Sequence, residues 1–201
     1  EKYKALITNF ASLSEAFSQK SEAGEAEEVQ NYVAPIVNSK FQETVFQRAF
    51  GAVAEDIANT SYDASLRVDE NHKYLIGLKS FGINSGDQKV AQFKKNSQEW
   101  NEILSEIQFY DSIGEDNRER YEFLAREISM LRNQRIESSK AQIKGFNSDA
   151  VSVESVYHVL MPTSKGQKPQ IFVGEISYLP IDLDKLEILG PTGKNNPTNF
   201  R

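Results

Sequence analysis

SYDASLRVDENHKYLIGLKSFGINSGDQKVAQFKK, residues 61–95, is the stretch on which the fold turns. It reads as two β-strands, a loop punctuated by glycines and the start of a basic helix. The strands span roughly Ala58–Val68 and Lys73–Phe81, and Asp69-Glu70-Asn71 supplies turn chemistry between them. Period-two alternation puts Asp63, Ser65 and Arg67 on one face of the first strand, with Tyr62, Ala64 and Leu66 on the other. On the second strand Leu75, Gly77 and Lys79 share a face, opposite Tyr74, Ile76 and Leu78. Apolar residues on both sides predict a central strand covered on both faces. A lysine closing such a strand calls for a partner, and Asp63 is the nearest acid on the strand before it.

Outward from this pair, the N-terminal side is helical. Leu6, Phe10, Leu13 and Phe17 recur every three to four residues, which predicts an amphipathic helix over 1–19. A polar break follows, then a second helix from about Glu25 to Val37 that Pro35 ends or kinks. A third begins at Ser39, with Ser39 and Gln42 in capping-box spacing, and runs through SKFQETVFQRAFGAVAED. Helical spacing puts Glu43 beside Phe46, Gln47 and Phe50, so its carboxylate stands at the edge of an apolar face.

On the C-terminal side, GINSGDQK is a loop, and a helix over about Asp87–Gln108 carries Val90, Phe93, Trp100, Ile103, Leu104 and Ile107. Lys89, Gln92 and Lys95 lie off that stripe. Asp111-Ser112-Ile113-Gly114 reads as a break before a long helix over about 115–144, whose polar later half is expected to project or to meet a partner. SVESVYHVLMPT and PQIFVGEISYL predict a hairpin around the polar SKGQK connection, DKLEILGP a further strand, and the rest a loop tail. His158 on its strand reads as structural. The polar hairpin tip has the character of a turn able to enter a nucleic-acid groove.

Composition sets limits on the chemistry. Cysteine is absent, which excludes disulfides, thiolate metal sites and a cysteine nucleophile. With His72 and His158 the only histidines, a bound metal would be held by oxygen, which suits Mg²⁺, Mn²⁺ or Ca²⁺. The net charge is −6 and the pI about 5.1, against an all-over nucleic-acid binder. The bases Arg67, Lys73, Lys79, Lys89, Lys94 and Lys95 nevertheless concentrate in the opening stretch. No apolar run has the length of a membrane span, and a cytoplasmic location is expected. The chain starts at Glu1 without Met and stops in a Gly/Asn/Pro-rich stretch, the pattern expected of an excised fragment.

Helix, strand with Asp, strand with Lys, helix, strand: in this order the chain resembles the PD-(D/E)XK nuclease superfamily, best known from type II restriction endonucleases. Tyr62-Asp63 stands where that family has Pro-Asp, and Gly77-Leu78-Lys79 where it has Glu-x-Lys. Gly77 therefore leaves the second carboxylate out of its usual place. The resemblance implies an α/β (α+β) core with a central mixed sheet flanked by helices, cutting double-stranded DNA with Mg²⁺, or Mn²⁺ in its place, as a homodimer. It implies that Asp63 and the carbonyl of Leu78 hold the metal and that Lys79 serves the attacking water. Glu43 is the expected replacement acid and Glu55 the alternative; Lys89, Gln92 and Lys95 would touch phosphates. The expected organisation is a single domain over 1–201, with a helical region 1–38, a core 39–190 and a tail 191–201. Two rivals remain: a nuclease-like module without catalysis that binds DNA or a protein, and a helical interaction protein built on 115–144.

Overall fold

The computed structural model describes residues 1–18, 35, 37–54, 62–86, 88, 98–144, 151–164 and 167–188. The chain divides into two compact units, Glu1–Gly86 with Ser138–Leu179, and Asp87–Glu137 with Pro180–Arg201.

The first unit is α+β. Its sheet has five strands in sequence order: β1 Val53–Ala54, β2 Ala64–Arg67, β3 His72–Ser80, β4 Ser152–Pro162 and β5 Ile171–Ser177. β3 and β4 are parallel and every other pair is antiparallel, so the sheet is mixed. β3 is the middle strand and is buried at Leu75, Ile76, Gly77 and Leu78, as its two apolar faces predict. Two helices, α1 Lys2–Ser18 and α2 Ser39–Phe50, pack on one side. There Phe46 meets Ala64, Ile76 and Leu78, while Ile7 and Val45 close over Leu160. Burying an aliphatic or aromatic side chain of this size is worth about 1.5–3 kcal/mol, so these contacts fix the helices to the sheet.

Several boundaries differ from the sequence expectation, each for a local reason. α2 stops at Phe50 because Gly51 takes a left-handed conformation, φ 68°, and its N–H caps the carbonyl of Gln47. The following Val53-Ala54 then pairs as β1 instead of extending the helix. Asn38, not Ser39, is the N-cap of α2, its side chain accepting from the Lys40 N–H at 2.9 Å. Gln42 is thereby released from the capping box. DKLEIL forms no strand within the described residues; a 3₁₀ turn over Leu183–Lys185 takes its place, capped by Asp182. The second N-terminal helix, expected over about 25–37, lies outside the described residues apart from Pro35 and Val37, which are not helical.

The second unit is built on α3 Asn101–Ile113 and the first part of α4 Arg118–Lys144. Residues 111–113 continue α3, and the break falls at Gly114, φ 73°. Asn117 fastens the turn, its amide donating to the Ile107 carbonyl at 2.9 Å and to the Asp111 carboxylate at 2.6 Å. Trp100, Ile107, Tyr121 and Leu124 form this unit's core. In the later half of α4, Arg132, Ile136 and Ser139 are buried. Among the described residues no helix is long and apolar enough to cross a membrane.

Candidate functional site

The antiparallel ladder of β2 and β3 pairs Arg67 with Lys73 and ends with Ala64 opposite Ile76. At Asp63 the ladder slips. The Asp63 N–H donates to the carbonyl of Ile76 at 2.9 Å, although Ile76 is already the partner of Ala64. Such an extra residue bends a strand and re-aims its side chains, as a bulge does. The Asp63 carboxylate then takes the place of the missing strand: its Oδ2 accepts from the Leu78 N–H at 2.6 Å. The N–H and C=O of one strand residue face the same edge, so Asp63 stands on the edge to which the Leu78 carbonyl also points.

The slip alters the alternation read from sequence. Tyr62 does not share a face with Ala64. Its hydroxyl donates to Ser155 Oγ at 2.9 Å, and its ring lies 5.2 Å from that of Tyr178. Ser155 is the register partner of Leu75, so Tyr62 reaches the face of Leu75, Gly77 and Lys79.

Gly77 is explained on the same face. Its register partner on β4 is Tyr157, whose ring lies directly over it. A Cβ at position 77 would stand 2.9 Å from Tyr157 Cδ1 and 3.0 Å from Cε1. Tyr157 is stacked in turn on Tyr178, with centroids 3.9 Å apart. The space a second carboxylate would use is therefore filled by an aromatic ring. Lys79, the last but one residue of β3, is exposed rather than buried, and its ammonium lies 5.8 Å from the Tyr157 ring centroid. That is a cation–π distance, and the water-exposed end of the strand removes the need for a buried ion-pair partner.

α2 meets this end of the sheet through Gln42. Buried and freed from capping, its amide donates to the carbonyl of Lys79 at 3.0 Å and to that of His158 at 3.4 Å. Glu43, half-buried, is the next residue on the helix. Thus Asp63 and Leu78 are joined directly and Lys79 follows Leu78 in the chain, while Glu43 stands on a separate element, α2. Glu55, Lys89, Gln92 and Lys95 lie outside the described residues. Among the described residues, no group of three or more His, Asp or Glu side chains is placed to hold a metal ion.

A second polar cluster lies under the N-terminal helix. Tyr3 Oη and His158 Nε2 are 2.6 Å apart, and His158 Nδ1 lies 3.3 Å from Glu175 Oε1. Phe46 and Tyr3 enclose the imidazole, with ring centroids 5.1 Å and 5.3 Å away. Burial lowers the His158 pKa, and Glu175 opposes that shift in part. Burial, aided by the charge of Glu175, raises the Tyr3 pKa. Both ring nitrogens are engaged and the imidazole is enclosed, so the cluster anchors α1 to the sheet.

Of these features, sequence reasoning missed the Tyr157–Gly77 contact, the role of Gln42 and the Tyr3–His158–Glu175 chain. A glycine inside an apolar strand was the one signal available, since it marks close approach of another group. No protein-family model, curated protein or solved structure matches this chain.

Proposed function

We propose that the protein is a metal-dependent endonuclease that hydrolyses phosphodiester bonds of double-stranded DNA. The observation that carries this reading is the Asp63 carboxylate on the Leu78 N–H, one residue from Lys79 and on the middle strand of a mixed sheet. The order α2, β2 with Asp63 at its start, β3 with Lys79, helices, then β4 parallel to β3 agrees with it. A restriction-endonuclease-like core and a homodimer acting on both strands belong to the same proposal.

The donor chemistry fits a hard divalent cation. Asp63 and the Leu78 carbonyl share one strand edge, and Mg²⁺ is commonly held by one or two carboxylates together with substrate phosphates. Glu43 from α2 is the proposed second carboxylate. When bound, the cation would neutralise the phosphate and lower the pKa of a coordinated water. Asp63 would hold the site's geometry through its bond to β3. Lys79, projecting into solvent, would bind a phosphate oxygen, orient the water and stabilise the charge that develops.

Plasmid cleavage with and without Mg²⁺ tests this directly. Asp63→Asn retains an oxygen that accepts from Leu78 N–H but loses the charge. With Lys79→Ala, it is expected to cut at least about 10²-fold more slowly than wild type. Metal-dependent cutting that survives both substitutions would place the site elsewhere. One observation favours a second reading, a non-catalytic DNA-binding module: the Tyr157 ring over Gly77 excludes an acid there. Retained duplex binding with no cleavage in any divalent metal would select it.

A further inference from the structure

The two edges of the sheet differ. β1 is two residues long, whereas β5 at the opposite edge has seven, Ile171–Ser177. On either side of β5 the main chain faces β4: the Thr163 N–H donates to the Gln170 carbonyl at 3.0 Å, and the Tyr178 N–H to the Ser155 carbonyl at 2.8 Å. The register between these points is unbroken, so Phe172, Gly174 and Ile176 also turn their N–H and C=O groups to β4. Those of Ile171, Val173, Glu175 and Ser177 point outward, and among the described residues no strand pairs with that edge.

The side chains of β5 are those of an inner strand, apolar on both faces. Phe172 and Ile176, 44% and 60% exposed, lie on the sheet face of their register partners Met161 and Tyr157. Val173, 53% exposed, lies on the other face, beside Leu160. Proline, lysine and bulges, the usual guards of an open edge, are all missing from Ile171–Ser177. The one charge on the strand is Glu175, whose carboxylate lies 3.3 Å from His158 Nδ1 of the same chain.

Such a strand is complementary to itself. Two copies of β5, antiparallel about a twofold axis at Gly174, set Ile171 opposite Ser177, Val173 opposite Glu175 and Phe172 opposite Ile176. Every outward-pointing residue then meets an outward-pointing residue, which makes each of these a hydrogen-bonded pair. Phe172 and Ile176 fall in the alternate positions, where side chains across the pair come closest. Charge fixes the register. An axis at Glu175 would set two carboxylates directly opposite each other, which is unfavourable, whereas at Gly174 each faces a valine. An axis at Val173 would set Ser177 opposite Pro169, which has no N–H to give. We propose that β5 pairs with β5 of a second copy about Gly174, joining the two sheets into one. The use of such a dimer rests on the endonuclease reading; the pairing rests on β5 alone.

Sedimentation equilibrium of the full chain, with single cysteines placed in a sequence that has none, tests the pairing. Wild type is expected to sediment as a monomer–dimer equilibrium. Gly174→Cys would set two thiols across the axis, at the Cα separation of about 4.5 Å that suits a disulfide. A Cβ there meets the end of the Met161 side chain at 3.4 Å, an ordinary contact. Its oxidation should give a covalent dimer at least about 10-fold faster than that of Ser177→Cys, whose thiols would stand roughly 20 Å apart along the pair. Val173→Pro removes an outward N–H and no bond to β4, so it should raise the dimer dissociation constant at least about 10-fold. A wild type that stays monomeric leaves the edge to a strand of a different partner and overturns the inference. Equal cross-linking of the two cysteine variants overturns it as well, since the dimer would then use another face. Mg²⁺-dependent cleavage by a monomer would keep the endonuclease reading and remove this surface. A β5 dimer that cuts no DNA would keep the surface and end that reading.

Discussion

Gly77 shows how one missing side chain is set by its neighbour across the sheet. Tyr157, stacked on Tyr178, must shift to admit an added Cβ. Gly77→Ala is therefore expected to lower stability by about 1–3 kcal/mol, read from the urea midpoint. Combining it with Tyr157→Ala should cost less than the sum of the two, since the second change removes the clash. Gly77→Glu would not install an acid there; it would displace the ring. His158 makes the other prediction at this scale. Its folded-state pKa lies below its ordinary value because burial disfavours the charged form. The unfolded chain then binds more protons near and below the ordinary histidine pKa of about 6.5. Stability is full above that pH and falls as the pH drops through it. Thermal midpoints of wild type should fall between pH 7.5 and 5.5, roughly the window around that value, more steeply than those of His158→Gln. Equal slopes would show that the imidazole is not held neutral by the fold.

Among the elements, α2 differs most from its sequence signature. Ser39 and Gln42 have the capping-box spacing, yet Asn38 receives the Lys40 N–H and Gln42 turns inward to the carbonyls of Lys79 and His158. Asn38→Ala is expected to cost about 0.5–2 kcal/mol in denaturant unfolding, and Ser39→Ala only a few tenths. The reverse order would restore Ser39 as the cap. The start of β2 was equally hidden, because period two assumes an unbroken ladder and a bulge at Asp63 shifts every residue before it. β3, β4 and β5 were legible because their apolar runs are long and bounded by turn residues. Asp63→Ala should therefore act twice. It should abolish cleavage, and it should cost about 1–3 kcal/mol by leaving the Leu78 N–H without its acceptor.

For the whole molecule, charge decides the mode of DNA binding that is expected. A chain of net charge −6 has little general attraction for a polyanion, so binding depends on local cations. Affinity for duplex DNA should fall with salt, and Lys79→Ala should reduce the slope of log affinity against log salt by about 1. A slope unchanged by that substitution would remove Lys79 from the phosphate contact. The sequence had placed the cations in 67–95 without showing which strand end presents them; the register of β3 leaves Lys79 exposed beside the Tyr157 ring.

The amino-acid pattern alone determined a mixed α and β chain, a central strand with Lys79 near its end and an acid, Asp63, on the segment before it. These follow from local periodicity and composition, which need no neighbours. Only the tertiary structure decided how the pieces meet. It turned the Asp63 carboxylate to the Leu78 N–H, covered Gly77 with a ring from eighty residues further along, and brought α2 to the end of β3 through Gln42. Those facts depend on sheet register and on where a ladder breaks, and contacts of that range leave no period in a sequence.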